Sequence, residues 1–346
     1  MLSSLSGVLP TATGSEVNRL SRIDGTEINN ADMSQLLSPR GVAYIQSVIR
    51  ANCDAGCTLG VTSTFRLTDT RPHSTRNWSL PSGDVTLSPQ YRDWNRQLID
   101  IAHNNYDDRP LLFNVCPLTN TSPSEDDRAF AQIGDEDRRI LFARRHHAAQ
   151  LRVFAEACEE HDLPLHVLIE AARHPDDVTG LALAARDVGA SSLIAAHEAE
   201  KRGIPDPIYR RSDFTFKACK DVLEQRLQGD VDVYVGANCV GTSLLNTLFA
   251  QGEQLDIAYP NQRDSGRVTS DLVVELSAAL NETSHDHDLR AQVRSLLDRH
   301  TETSPDELRS FWRCAIDARV SMIGICCGGR PEHVAVASAL WNEMKQ

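Results

Sequence analysis

Eight short runs of aliphatic and β-branched residues recur along this chain, and most are followed by a stretch with helical periodicity. They lie at 22–25, 58–64, 111–117, 165–171, 192–198, 232–239, 255–261 and 320–327. Short apolar runs that do not alternate with polar residues suit strands buried on both faces, the condition of a parallel sheet. Between them, Ala148, Leu151, Ala155 and Cys158 fall at offsets of three and four, on one face of a helix. Ser212 and Asp213 look like the start of another helix, and Ser304, Pro305 and Glu307 form a capping-box pattern. Strand then helix, eight times, predicts an α/β fold in the form of a single (β/α)8 TIM barrel.

At about 150 residues per domain, 346 residues would make about two domains. A two-domain, doubly wound protein is therefore the alternative architecture. No Pro/Gly/Ser-rich linker divides the chain, which favours one domain with insertions. We expect 1–20 to be a loose N-terminal tail and 21–346 to be the barrel. Long βα-loops are expected at 66–95 and 118–139, with a charged helix within 282–303. The tract Ser284–His285–Asp286–His287–Asp288 reads more naturally as a solvated loop than as a metal site.

Charge and composition exclude several partners. With 35 Lys and Arg against 48 Asp and Glu, the net charge is −13, which disfavours binding to a phosphate backbone. No run approaches 18 consecutive apolar residues, so no membrane span is expected. The first 20 residues lack both the basic start and the apolar run of a secretory signal, and a cytoplasmic location is expected. The expected partners are small molecules.

Nine cysteines, an odd count in a long chain, do not suggest a disulfide framework. Three of them end predicted strands: Cys239 the sixth, and the adjacent Cys326 and Cys327 the eighth. Barrel active sites are built at the C-terminal ends of strands, so three thiols are expected on one rim. Three thiolates with an open fourth position make a catalytic zinc site. Adjacent residues on a strand face opposite sides, so both thiols reach one ion only where the backbone turns. Gly328 and Gly329 supply that freedom. The other six (Cys53, Cys57, Cys116, Cys158, Cys219 and Cys314) read as core residues.

The segments Val235–Cys239 (VGANC) and Gly324–Val334 (GICCGGRPEHV) resemble the two zinc-binding signatures of the homocysteine S-methyltransferase family. Arg22–Gly25 is similar to that family's opening Asp-Gly strand, and 50–65 to its next helix and strand. Leu168–Ala171 resembles the strand end that carries a glutamate, and Ala258–Gly266 its Tyr-Pro-Asn segment. The resemblance implies a zinc-dependent barrel that transfers a methyl group from a sulfonium donor, S-methylmethionine or S-adenosylmethionine, to the thiol of homocysteine, giving methionine. It implies Cys239, Cys326 and Cys327 as Zn2+ ligands, and Asp24, Glu170, Ser63 and Asn261 as substrate-binding residues. Ser63 stands where the family usually has Asn, and the loop after Asp24 is shorter than the family's. Relatives that use cobalamin or folate carry extra modules, for which a single barrel leaves no room.

Two other readings stay open. One is a divergent member that acts on another thiol or binds a ligand without turnover. The other is a metal-dependent hydrolase that uses His166 and His197 with Glu170.

Overall fold

A computed structural model of the chain describes residues 5–26, 28, 33–65, 67–68, 81, 83–118, 129–198, 200–201, 204–205, 215–262 and 303–344. Eight parallel strands form one sheet: β1 (Gly7–Val8), β2 (Gly60–Val61), β3 (Leu111–Val115), β4 (His166–Ala172), β5 (Ser192–His197), β6 (Asp232–Asn238), β7 (Ile257–Tyr259) and β8 (Met322–Ile323). Their spatial order is β1-β8-β7-β6-β5-β4-β3-β2. The two ends of that order, β1 and β2, are bridged as well. The N–H groups of Thr58 and Leu59 both donate to the Val8 carbonyl, at 2.9 and 3.2 Å. This bridging closes the eight strands into the predicted (β/α)8 barrel.

Helices cover the outside: α1 (Thr13–Ile23), α2 (Pro39–Asp54), α3 (Pro89–Asn105), α4 (Glu136–His161), α5 (Pro175–Asp187), α6 (Phe216–Leu227), α7 (Thr242–Ala250), α8 (Pro305–Asp317) and α9 (Pro331–Met344). Their ends follow local chemistry. Ser38 Oγ accepts the Gly41 N–H ahead of α2, with Pro39 in the first turn. The Ser304–Glu307 capping box forms at α8 as the sequence predicts. Leu151 and Cys158 face the core from α4, with Ala148 and Ala155 packed beside them.

Two cores result. The larger lies between strands and helices. The smaller fills the barrel axis with Leu9, Leu59, Leu112, Leu168, Ile194, Tyr234, Ile257 and Met322, one from each strand or its flank. The interior is therefore packed, and the chemistry is confined to the rim above it. No helix among the described residues is long and apolar enough to cross a membrane.

Several expectations need correction. The first strand is Gly7–Val8, inside the segment expected to be a loose tail, and α1 begins there too. Val8 and Leu9 are fully buried, but a two-residue strand carries no period to read. The run at 22–25 is instead the end of α1, stopped at Gly25 with φ +77°. Residues 89–95 and 136–139, expected as loop, are helix. The first residue of α6 is Phe216, capped by Thr215; Ser212 and Asp213 lie outside the described residues, as do 284–288 and most of 282–303. Cys314 is exposed rather than core.

Candidate metal centre

Cys239, Cys326 and Cys327 meet at the C-terminal rim. The Sγ–Sγ distances are 3.1 Å for Cys239–Cys326, 4.0 Å for Cys239–Cys327 and 3.9 Å for Cys326–Cys327. Two of the three lie near the ~3.8 Å edge of a tetrahedron with Zn–S bonds of about 2.3 Å. These are the only three such ligand groups that gather within 4.8 Å among the described residues.

The backbone explains the meeting. Cys239 follows β6 in the left-handed region, φ +57°, a conformation that costs a residue with a Cβ about 1–2 kcal/mol. Its N–H donates to the Tyr259 carbonyl, and the Cys326 N–H donates to the Pro260 carbonyl at 2.7 Å. Strand β7 thus holds both cysteine segments from between them. Gly328, at φ +78°, turns the chain just after Cys327, as the glycine pair suggested. Trp312 Nε1 of α8 donates to the Gly324 carbonyl at 3.1 Å and pins the approach to Cys326.

Three thiols this close suppress one another's ionisation. Cys239 is held well above its ordinary pKa by its hydrogen bonds with Cys326 and Cys327 and by burial. For Cys326 the contact with Cys239 pulls downward, but Cys327 and burial prevail upward. A cluster of soft donors that cannot become anionic without a cation fits a thiophilic divalent metal.

Polar groups surround the thiols. Asn238, the last residue of β6, donates through Nδ2 to Cys239 Sγ at 3.5 Å, and its Oδ1 accepts the Ala171 N–H at 2.8 Å. Ala171 sits at φ +56° where the β4–β5 register shifts. Glu170, one residue earlier, is buried, and its Oε1 accepts from Asn114 Nδ2 at 3.1 Å. Burial, and then the charge of Cys327, pushes the Glu170 carboxyl up to about 8, against the pull of Asn114. The Tyr259 hydroxyl donates to the Pro10 carbonyl at 2.6 Å beneath the rim.

Of the expected substrate residues, Ser63 and Asn261 follow strands β2 and β7, whereas Asp24 follows a helix. Ser63 lies half-buried two positions beyond Val61, a residue of the barrel-axis core. Asn261 follows β7, its N–H donating to the Val240 carbonyl next to Cys239. Asp24 does not end a strand. It follows α1, bonds Thr26 and pairs with Arg40 at 2.9 Å. The chain leaves β1 through Leu9–Pro10–Thr11, which offers no carboxylate. His166 starts β4, four residues before Glu170, which is about 13 Å along a strand, and bonds Ser192 Oγ. His197 turns to α6, against Phe216 and Cys219, and burial lowers its pKa to about 4. The histidines and Glu170 do not form one site. Asn114 carries no local sequence signal that marks it as a site residue, whereas Asn238 and Tyr259 lie within the VGANC and Tyr-Pro-Asn segments and only the fold shows what they bond.

A closed (β/α)8 barrel with three convergent thiols on its rim defines a barrel enzyme with a thiol-rich candidate metal centre. The family model for homocysteine S-methyltransferase matches residues 8–340, and the chain belongs to that family. It is accordingly a methyltransferase, and family and fold together point to methyl transfer to homocysteine. Among solved structures it resembles the homocysteine methyltransferase MmuM from Escherichia coli. The metallated form aligns with a TM-score of 0.56 at 13% identity, covering 97% of this chain and 96% of that one. The oxidized form aligns at 0.52 and 15%, covering 96% and 94%, and the apo form at 0.51 and 14%, covering 98% and 97%. At such identities the likeness concerns the fold. No curated protein sequence matches the chain significantly.

Proposed function

We propose that this enzyme uses Zn2+ held by Cys239, Cys326 and Cys327 to methylate the thiol of homocysteine, giving methionine, with S-methylmethionine or S-adenosylmethionine as the donor. The observation that carries the reading is the convergence of three thiols within 4.0 Å at the ends of β6 and β8. When bound, zinc supplies the Lewis acidity that keeps a substrate thiol as thiolate at neutral pH, where a free thiol near pKa 8.5 is mostly protonated.

The protein's own residues do the rest. The three cysteines would hold the ion, and as a three-residue ligand set they would leave it free to take the substrate thiol. Asn238 donates to Cys239 Sγ and orients that ligand. Glu170, whose buried carboxyl is raised to about 8 in the free protein, would give up its proton as the substrate ammonium enters and favours the charged form, leaving a charge-assisted contact. Ser63 and Asn261 border the substrate. The packed barrel floor keeps water from beneath the reacting sulfur. All nine cysteines are free, which suits a reducing, cytoplasmic compartment.

One observation favours a different acceptor thiol. The Leu9–Pro10–Thr11 rim lacks the carboxylate that the resemblance assigned to Asp24, so the amino group has fewer anionic partners there.

Metal analysis of the purified protein should give about one zinc per chain. Incubation with homocysteine and each sulfonium donor, read by mass spectrometry, should give methionine. A Cys326→Ser variant that keeps full zinc overturns the metal assignment. A panel in which another thiol is methylated and homocysteine is not moves the acceptor.

A further inference from the structure

Asn114 and Glu170 stand on neighbouring strands, β3 and β4, two positions beyond Leu112 and Leu168, which face the barrel axis. Both side chains are more than nine-tenths buried, Asn114 at 6% exposure and Glu170 at 8%. The Asn114 backbone is held by two hydroxyls from the segment after β2. Its N–H donates to Thr62 Oγ1 at 3.0 Å and its carbonyl accepts from Thr64 Oγ1 at 2.7 Å. The hydroxyls also bond one another at 2.7 Å. The side-chain amide donates to Glu170 through Nδ2, while its Oδ1 is buried without a hydrogen-bond partner. A buried acceptor left unmade costs about 1–3 kcal/mol, and a frame this closely tied does not relax to remove it.

Oδ1 therefore belongs to the same amide that bonds Glu170, near the C-terminal ends of β3 and β4. A carboxylate and a neutral acceptor side by side suit a donor with several N–H bonds and a positive charge, which is a primary ammonium. We infer that Asn114 is a specificity-determining residue that takes, through Oδ1, a second N–H of the substrate ammonium whose charge Glu170 balances. The inference rests on the proposed methyl transfer to an amino thiol. It adds a neutral partner from β3 to that site. With two acceptors at the ammonium, the site discriminates an amino thiol from the same thiol without its amine.

The test is calorimetric binding of two probes to zinc-loaded protein: L-homocysteine, and 4-mercaptobutanoate, which lacks the amine. Asn114→Leu keeps the branched shape, with somewhat greater bulk, and removes both polar atoms. We expect homocysteine to bind the variant about tenfold more weakly or worse, the loss of a hydrogen bond to a charged group, while 4-mercaptobutanoate stays within about twofold. Zinc content should not change, and the metal-free variant should melt no lower than the parent. Equal weakening of both probes, or weakening of neither, overturns the assignment. A parent protein that binds both thiols equally also overturns it, yet leaves methyl transfer to a thiol standing. A zinc-loaded parent that binds neither overturns both readings.

Discussion

The side-chain carbonyl of Asn238 accepts the backbone N–H of Ala171 at 2.8 Å, joining β6 to β4 at the rim. The same side chain donates to Cys239. One amide therefore ties the segment that carries Glu170 to a candidate metal ligand. Neither end is independent of the other, although 67 residues separate Ala171 from Asn238.

Removing that tie should be felt twice. Asn238→Ala leaves a buried N–H unmade and should cost about 1–3 kcal/mol in urea unfolding of the metal-free protein. It should also weaken zinc affinity about 10–100-fold in a competitive chelator titration, the usual cost of losing a ligand's supporting hydrogen bond. Unchanged zinc affinity would separate Asn238 from the metal.

Metal uptake should release protons. Because Cys239 and Cys326 are held above their ordinary pKa, both are protonated at pH 7.5 without metal. Zinc binding by three thiolates should then expel about two protons per ion from this pair, besides any from Cys327. Calorimetry in buffers of different ionisation enthalpy measures the number, and a value near zero would contradict thiolate ligation.

His197 should make the protein weaker in mild acid. Burial lowers its pKa from 6.5 to about 4, so above pH 6.5 the ring is neutral whether the chain is folded or unfolded, and stability is unaffected. Below 6.5 the unfolded chain takes up a proton that the folded one refuses. Stability is lost as pH falls towards 4, by at most about 3 kcal/mol. Urea unfolding at pH 7.5, 5.5 and 4.5 should show a shallower decline for His197→Gln than for the parent. Parallel declines would mean that His197 is not the group responsible.

Gly236 should not tolerate a side chain. A Cβ there would meet the Ile257 carbonyl oxygen at 2.1 Å, so β6 and β7 must part just below Cys239. Gly236→Ala should destabilise by about 1–3 kcal/mol, the usual cost of overpacking, and lower the midpoint of thermal unfolding. A midpoint equal to that of the parent would show that the two strands can separate freely.

Much of this was legible in the chain itself. The runs behind β3 to β6 are four or more residues long, and each forms a strand close to where the period predicts it. Caps such as Ser304–Glu307 are equally local, since donor and acceptor lie three residues apart. The cysteines at strand ends, with Gly328 and Gly329 just beyond them, marked the rim before any contact was known. Asp24 misled because Asp-Gly is as good a helix stop as a strand end, and only burial separates the two.

The alternating architecture and the thiols on which the chemistry depends are local properties of the chain, because period, capping and residue type are written within a few neighbours. Tertiary structure alone decided which two buried residues open the barrel. It alone brought Cys239 within 3.1 Å of Cys326 across 87 residues, and set Asn114 against Glu170 across 56. Those pairings arise from strand register and from left-handed turns at Cys239 and Ala171, which closure of the sheet imposes and no local pattern announces.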